Sequence, residues 1–296
     1  MSEASITLVS PWLGPLPKGL LLFLGSVRAN PSVRVLIPSD QPAPPNLPPN
    51  VTWLPMTLDT FSARASECLG VALHVERGYK LCDFRPTYGV VFAEEIGDAD
   101  FWGYCDQDQV LGNLRAFLTQ TILASADVLT FRGEGWMSGP FSLYRTNSAA
   151  TRLFEDAPEW DDTLAHPMYQ AFDECGMRWE GAQPRSVARC IDNGERVSIT
   201  DIVHTAAREG RIRLHVDNVL AEPGGGSSNS RAIAGRLRRR PLGVKANDSA
   251  SISSTPRTTP PSTSTPGTGC LSAFGSRPSG RLECLLKRKR SAGLSR

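Results

Sequence analysis

Phe101-Trp102-Gly103-Tyr104-Cys105-Asp106-Gln107-Asp108 is the stretch on which the reading of this chain turns. Its first five residues are apolar without alternation, the pattern of a central strand covered on both faces, and the run stops abruptly at an acidic triplet. In open α/β sheets ligands settle beyond the carboxyl ends of the strands. Two carboxylates one residue apart after such a strand project into one crevice. Their mutual repulsion is costly unless a hard cation lies between them, and Mg²⁺ or Mn²⁺ held this way keeps positions open for phosphate oxygens. By spacing alone, an exposed acidic turn is the competing reading of Asp106 and Asp108.

Working outward, residues 5–10 form a β-branched run stopped by Pro11, and residues 32–37 form a second stopped by Pro38. Between them residues 17–29 are apolar and of helical length, so the order is strand, helix, strand. Residues 41–50 are a Pro-rich surface loop, residues 51–54 a short strand, and residues 60–75 are expected to be helical. Pro86 suits the first turn of a helix running to about residue 96, because its missing N–H would be unpaired there in any case. That would set residues 80–85 near a helix N-terminus, a place that favours anions. Downstream, residues 127–132 and 136–145 read as strands, and residues 147–154 and 167–175 as helices. Strands alternating with helices give an α/β layered domain, here a Rossmann-like mixed sheet flanked by helices.

The 296 residues divide by composition. Residues 1–222 carry 18 Lys+Arg against 28 Asp+Glu, and residues 223–296 carry 14 against 2. Half of the second segment is Ser, Thr, Pro and Gly, too little apolar surface to offset chain entropy. The expected organisation is therefore a folded domain over residues 1–222 and a disordered basic tail over 223–296. The seven Cys show no C-x-x-C spacing, which argues against a zinc site or a disulfide framework and for a reduced, cytoplasmic compartment. The apolar run of residues 19–25 is far shorter than the roughly 20 residues that span a bilayer, so no transmembrane segment is expected. Basic runs at residues 236–240 and 287–290 suit nucleic acid or a nuclear address, but without aromatic interleaving a solvated tail is the plainer reading.

Residues 79–118, YKLCDFRPTYGVVFAEEIGDADFWGYCDQDQVLGNLRAFL, resemble the core motif of a sparsely characterised glycosyltransferase-like family with the GT-A fold and a sugar-binding DXD motif. SPWLGPLPKG, NPSVRVLIPSD, PPNVTWLPM and WMSGPFSLYRTN are similar to that family's other blocks and fall in the same order, so the resemblance covers about residues 5–147. It implies a nucleotide-sugar-dependent glycosyltransferase with Mn²⁺ or Mg²⁺ on Asp106 and Asp108, moving a sugar to a glycan or other acceptor. Asp40 would lie near the nucleoside. Lys80 and Arg85 would neutralise phosphate oxygens or pair with Asp83, and Asp83 would hydrogen-bond donor-sugar hydroxyls. Ser138 and Gly139 would present bare backbone on the acceptor side. Asp173 and Glu174 are candidates for general base, with surface helix charge as the alternative. His74, His166, His204 and His215 lie outside the matching blocks, and no role is carried onto them.

Two other functions compete. Asp106-Gln107-Asp108 after an apolar strand also fits the nucleophile motif of haloacid-dehalogenase-type phosphatases, although no Lys occurs between Lys80 and Lys245 to serve that chemistry. A catalytically inactive GT-A-like protein with a basic interaction tail is the other. An EF-hand is excluded by Val110, Leu111 and Phe117, and no G-x-S-x-G marks a serine hydrolase.

Overall fold

A computed structural model describes residues 3–131, 135–178, 183–217, 220–221 and 231–233. Apart from residues 231–233, the expected disordered tail lies outside the described residues.

The main sheet is built from β1 (Ile6–Val9), β2 (Val33–Ser39), β3 (Val51–Pro55) and β4 (Phe101–Cys105), followed by β6 (Val128–Thr130), β7 (Phe141–Arg145) and β8 (Leu214–Val216). Their order across the sheet is β3-β2-β1-β4-β7-β6-β8. All run parallel except β7, which is antiparallel to both β4 and β6. This is the mixed α/β sheet that the alternation of strands and helices leads one to expect. The chain steps from β1 outward through β2 and β3, then returns to place β4 on the other side of β1. The crevice beyond β1 and β4 is therefore the topological switch point, where flanking loops diverge and leave room for a ligand. A smaller sheet joins β5 (Gln109–Leu111) to β10 (Arg231–Ile233) and β9 (Leu220–Ala221).

Every residue of β1 and of β4 is buried, as a strand covered on both faces requires. The period of two sorts their side chains into two cores. Trp102 and Tyr104 enter one, with Phe61, Phe84, Phe92 and Tyr144, while Phe101 and Cys105 enter the other, with Phe23, Phe141 and Leu143. Trp102 stacks on Tyr144 of the neighbouring strand at 4.5 Å and 9°. Helix α1 (Leu20–Arg28) buries Leu20, Phe23, Leu24 and Val27 at the i, i+3, i+4, i+7 spacing of one face.

Several expected elements differ. Helix α2 runs only over Leu58–Leu69, opened by a Thr57/Thr60 capping box and stopped by Gly70 in the left-handed region at φ 69. Residues 73 and 75 then hang from it as coil, their backbone N–H groups donating to Ser66 and Ser62 hydroxyls at 2.9 Å. In place of a helix from Pro86 to residue 96 there is a 3-10 segment over Gly78–Thr87, then two single turns, Tyr88–Val91 and Ala93–Ile96, broken at Phe92. Residues 80–85 thus lie inside tight winding, with no helix N-terminus to attract an anion. Residues 147–154 are mostly a 3-10 segment (Ala149–Asp156) kinked at Arg152, and the strand expected over 136–145 is confined to β7. Residues 167–175 are not helical: Ala171 sits at φ 53, and the chain bends round the Asp83 carboxylate.

The five described cysteines are free, and among the described residues no helix is long and apolar enough to cross a membrane.

Gly103 marks the tightest point of the sheet: a Cβ there would collide with the Ser142 carbonyl and the Leu143 side chain. Because backbone cannot give way, Gly103→Ala is expected to cost about 3 kcal/mol or more, the upper end of ordinary overpacking. A lowered urea midpoint at unchanged m-value would show it.

Candidate functional site

A cavity of about 580 Å³ opens at the switch point. Val9 and Ser10 at the end of β1 and Cys105 through Asp108 at the end of β4 line it, as does the loop of residues 11–15. Tyr79, Cys82 and Arg85 enter from the 3-10 segment, Tyr88 from the helical turn after it, and Pro140, Tyr169 and Glu174 from later loops. Its volume suits a small-molecule ligand.

The acidic triplet stands where the strand pattern put it. Asp106 and Asp108 are half-buried, while Gln107 and Gln109 are 1% exposed. Gln107 Nε2 donates to the Ser10 carbonyl at 2.6 Å, which ties the end of β4 to the end of β1. That bond also fixes the amide so that Oε1, buried and without a hydrogen-bond partner, is left as an acceptor. Arg85 pairs with Asp106 through Nη2 and with Asp173 through Nη1, the latter at 2.7 Å.

Asp173 and Glu174, adjacent in sequence, part company. Asp173 has a side chain 0% exposed, does not line the cavity, and accepts from Arg85 and from the Tyr169 hydroxyl at 3.0 Å. Burial pushes its carboxyl up to about 8, the neighbouring Glu174 and Asp83 charges adding to the shift and Arg85 opposing it. Glu174 lines the cavity and accepts the Gly139 N–H at 3.2 Å. Both groups are buried in a bend rather than exposed on a helix.

The other expected site residues divide as follows. Lys80 and Asp83 are paired with each other and are not among the residues that line the cavity. Their side chains are 2% and 0% exposed and form a 2.8 Å ion pair beneath the cavity wall, with Lys80 Nζ also donating to the Thr163 carbonyl at 2.7 Å. Asp83 accepts the backbone N–H groups of Gln170 and Phe172 at 2.8 and 2.9 Å. Burial draws both toward their neutral forms, Lys80 downward and Asp83 upward. Asp40 is exposed and outside the cavity lining, and its carboxylate holds the Gly14 N–H at 2.9 Å, steadying the 11–15 loop. Ser138 is buried in hydrogen bonds with Thr130, Phe141 and Ser142 and leaves no face for an acceptor. Gly139 is bare for a different reason from the expected one: a Cβ there would come within 2.7 Å of Glu174 and 2.8 Å of Arg85. The cavity-lining aromatics Trp12, Tyr79 and Tyr169 were not singled out, since neither period nor spacing marks them.

Thiol chemistry does not fit. Burial pushes Cys82 and Cys105 up, Cys105 to about 12, so neither offers a thiolate. Among the described residues no Lys lines the cavity, where dehalogenase-type phosphatase chemistry would want one. Among the described residues no three or more His, Cys, Asp and Glu side chains are grouped to hold a metal ion, and none of the four His lines the cavity. An implied cation would nevertheless have hard oxygen donors in Asp106 and Asp108, with the partnerless Gln107 oxygen between them in sequence. Magnesium-type sites of this kind take one or two carboxylates and complete their shell with phosphate oxygens.

Residues 8–209 match the model of a family described as "Family of unknown function (DUF6625)". No curated protein matches the chain. Among solved structures, the galactosyltransferase LgtC in complex with donor and acceptor sugar analogues is similar at 12% identity and a TM-score of 0.38, over 71% of this chain and 72% of that one.

Two outcomes follow from the buried charges. The folded carboxyl of Asp173 keeps its proton up to about pH 8, whereas 3.8 is its ordinary value. Its stabilising contribution is therefore full below pH 3.8 and is lost as pH rises through about 8. Wild-type protein should lose stability relative to Asp173→Asn between pH 6 and pH 9, measured by denaturant midpoints. Lys80→Met should cost about 3–5 kcal/mol by stranding the Asp83 carboxyl. A variant of unchanged stability that had lost nucleotide binding would return Lys80 to the ligand site.

Proposed function

The chain belongs to this family of unknown function, and from its own cavity we propose that it is a glycosyltransferase that takes a sugar from a nucleotide-sugar donor. The observation that carries the reading is the charge of the cavity at the switch point. Among the described residues the lining holds one guanidinium, Arg85, and three carboxyl groups, Asp106, Asp108 and Glu174. A diphosphate entering alone would be repelled, and one entering with a divalent cation would find its charge matched.

Asp106 and Asp108, with the Gln107 side-chain oxygen, would hold Mn²⁺ or Mg²⁺. When bound, the cation supplies Lewis-acid charge to the departing diphosphate. The chain's own residues do the rest. Arg85 donates to the phosphate oxygens, and the 11–15 loop with Trp12 and Tyr79 offers apolar and aromatic walls to the nucleoside and the sugar. Glu174, rather than Asp173, is the group placed for general base, because it alone of the two lines the cavity. In a direct displacement the acceptor hydroxyl proton moves to a Glu174 oxygen as the acceptor oxygen bonds to the anomeric carbon. The anomeric carbon–oxygen bond breaks, and its electron pair leaves on the diphosphate. The acceptor is a hydroxyl-bearing molecule, a glycan in the simplest case.

Calorimetric titration of the full chain with UDP- and GDP-sugars, in Mn²⁺ and then in EDTA, tests this. Binding is expected with Mn²⁺ only, and lost in a folded Asp106→Asn/Asp108→Asn variant. Folded wild-type protein that binds no donor in Mn²⁺ would leave a GT-A-like scaffold without transferase activity.

A further inference from the structure

Arg85 stands where a cation is wanted and is itself a cation. Nη1 is held at 2.7 Å by Asp173, whose side chain is 0% exposed, and Nη2 is spent on Asp106. The guanidinium lies 5.8 Å from the centre of the Tyr104 ring, and the whole side chain is 15% exposed. Gly139 closes on it so tightly that a Cβ would come within 2.8 Å of Nη1. One end of the guanidinium is therefore anchored in the interior, and the other occupies a carboxylate that lines the cavity.

Gln107 is an independent sign of a missing ligand. Gln107 belongs to the cavity lining and its side chain is fixed through Nε2 on the Ser10 carbonyl, yet its buried Oε1 meets no donor. Leaving such an acceptor unsatisfied costs free energy, and this one stands between two carboxylates in sequence. A hard cation is the partner whose chemistry all three groups share.

Resting on the donor site proposed above, we propose that Arg85 is a latch on that site, which makes cation binding and diphosphate binding depend on each other. A divalent cation must take the Asp106 carboxylate from Arg85. Nη2 then loses its carboxylate partner in a largely enclosed setting, where weakened pairing of a charge is costly. A phosphate oxygen of the donor restores the balance with a charge-assisted hydrogen bond. Cation alone strands Arg85, and diphosphate alone meets three carboxyl groups, whereas the two together satisfy every charge. Arg85 acts on the cation through Asp106 and is in this respect a positioning residue. The dependence is reciprocal by linkage.

The test reads affinity, not turnover. Mn²⁺, UDP and GDP are titrated separately and together by calorimetry into full-length wild type, Arg85→Gln and Arg85→Gln/Asp173→Asn, with an unfolding midpoint for each. In wild type, Mn²⁺ and the diphosphate should strengthen one another about tenfold or more, within the usual range of coupling between sites. In Arg85→Gln, Mn²⁺ alone should bind about tenfold more tightly than to wild type, as expected when a competing cation is removed, and the mutual strengthening should shrink. The double variant removes the carboxyl that the single one strands, so it keeps the measurement on folded protein and should show the same gain. Mn²⁺ affinity that is unchanged or weaker in the folded variants overturns the latch, even if UDP or GDP binding to wild type upholds the donor site. Tighter Mn²⁺ binding without any nucleotide binding upholds the latch and overturns the nucleotide-sugar reading.

Discussion

The Asp83 carboxylate is the point from which the candidate site is hung. It accepts two backbone N–H groups two residues apart, from Gln170 and Phe172, and the Lys80 ammonium besides. Two N–H groups converging on one carboxylate force the chain into a bend, and Ala171 at φ 53 shows the cost. The bend carries Tyr169, Asp173 and Glu174 against the 3-10 segment that bears Asp83 itself. Asp173 reaches Arg85, and Glu174 reaches the cavity. Without that clamp the bend would lose the contact that shapes it, and with it the placing of Asp173 as the inner anchor of Arg85.

What was legible in the sequence is what depends on near neighbours. An apolar run of five residues ending in two carboxylates carries its own meaning, because burial on both faces and an abrupt polar stop are local properties of β4 and the triplet after it. The strand-helix-strand start was readable for the same reason. The Lys80, Asp83 and Arg85 cluster was recognisable as a cluster, but its division of labour was not. Whether Lys80 faces a ligand or an ion pair is decided by residues 163–172, more than eighty positions away. No periodicity carries information over such a distance. The helix expected over residues 167–175 failed on the same account, since a buried acceptor on another element overrode local propensity. The period likewise did not forecast the break of α2 at Gly70, where a left-handed glycine outweighed the apolar residues beyond it.

Gly139 has a structural reason of its own for lacking a side chain. Bare backbone beside a strand is what the acceptor-side expectation asks for, and the backbone is indeed bare. The room, however, is already taken by the ends of Arg85 and Glu174, so that glycine here lets one cation and one carboxylate pack side by side. The approach it allows is internal to the protein.

Charge decides which ligands such a cavity admits. Three carboxyl groups on its wall would welcome an amine or a bare metal ion and turn away a bare anion. One anchored guanidinium, with a buried acceptor on Gln107 beside the carboxylates, alters that balance in a particular way. On the proposed reading it would supply a donor for an anion and an oxygen for a cation. An amine would satisfy the carboxylates but give Arg85 nothing, and a lone anion would satisfy Arg85 but not the carboxylates. The pairing of charges inside the cavity, more than its volume, therefore favours a ligand that brings both signs at once, as a metal-bound diphosphate does.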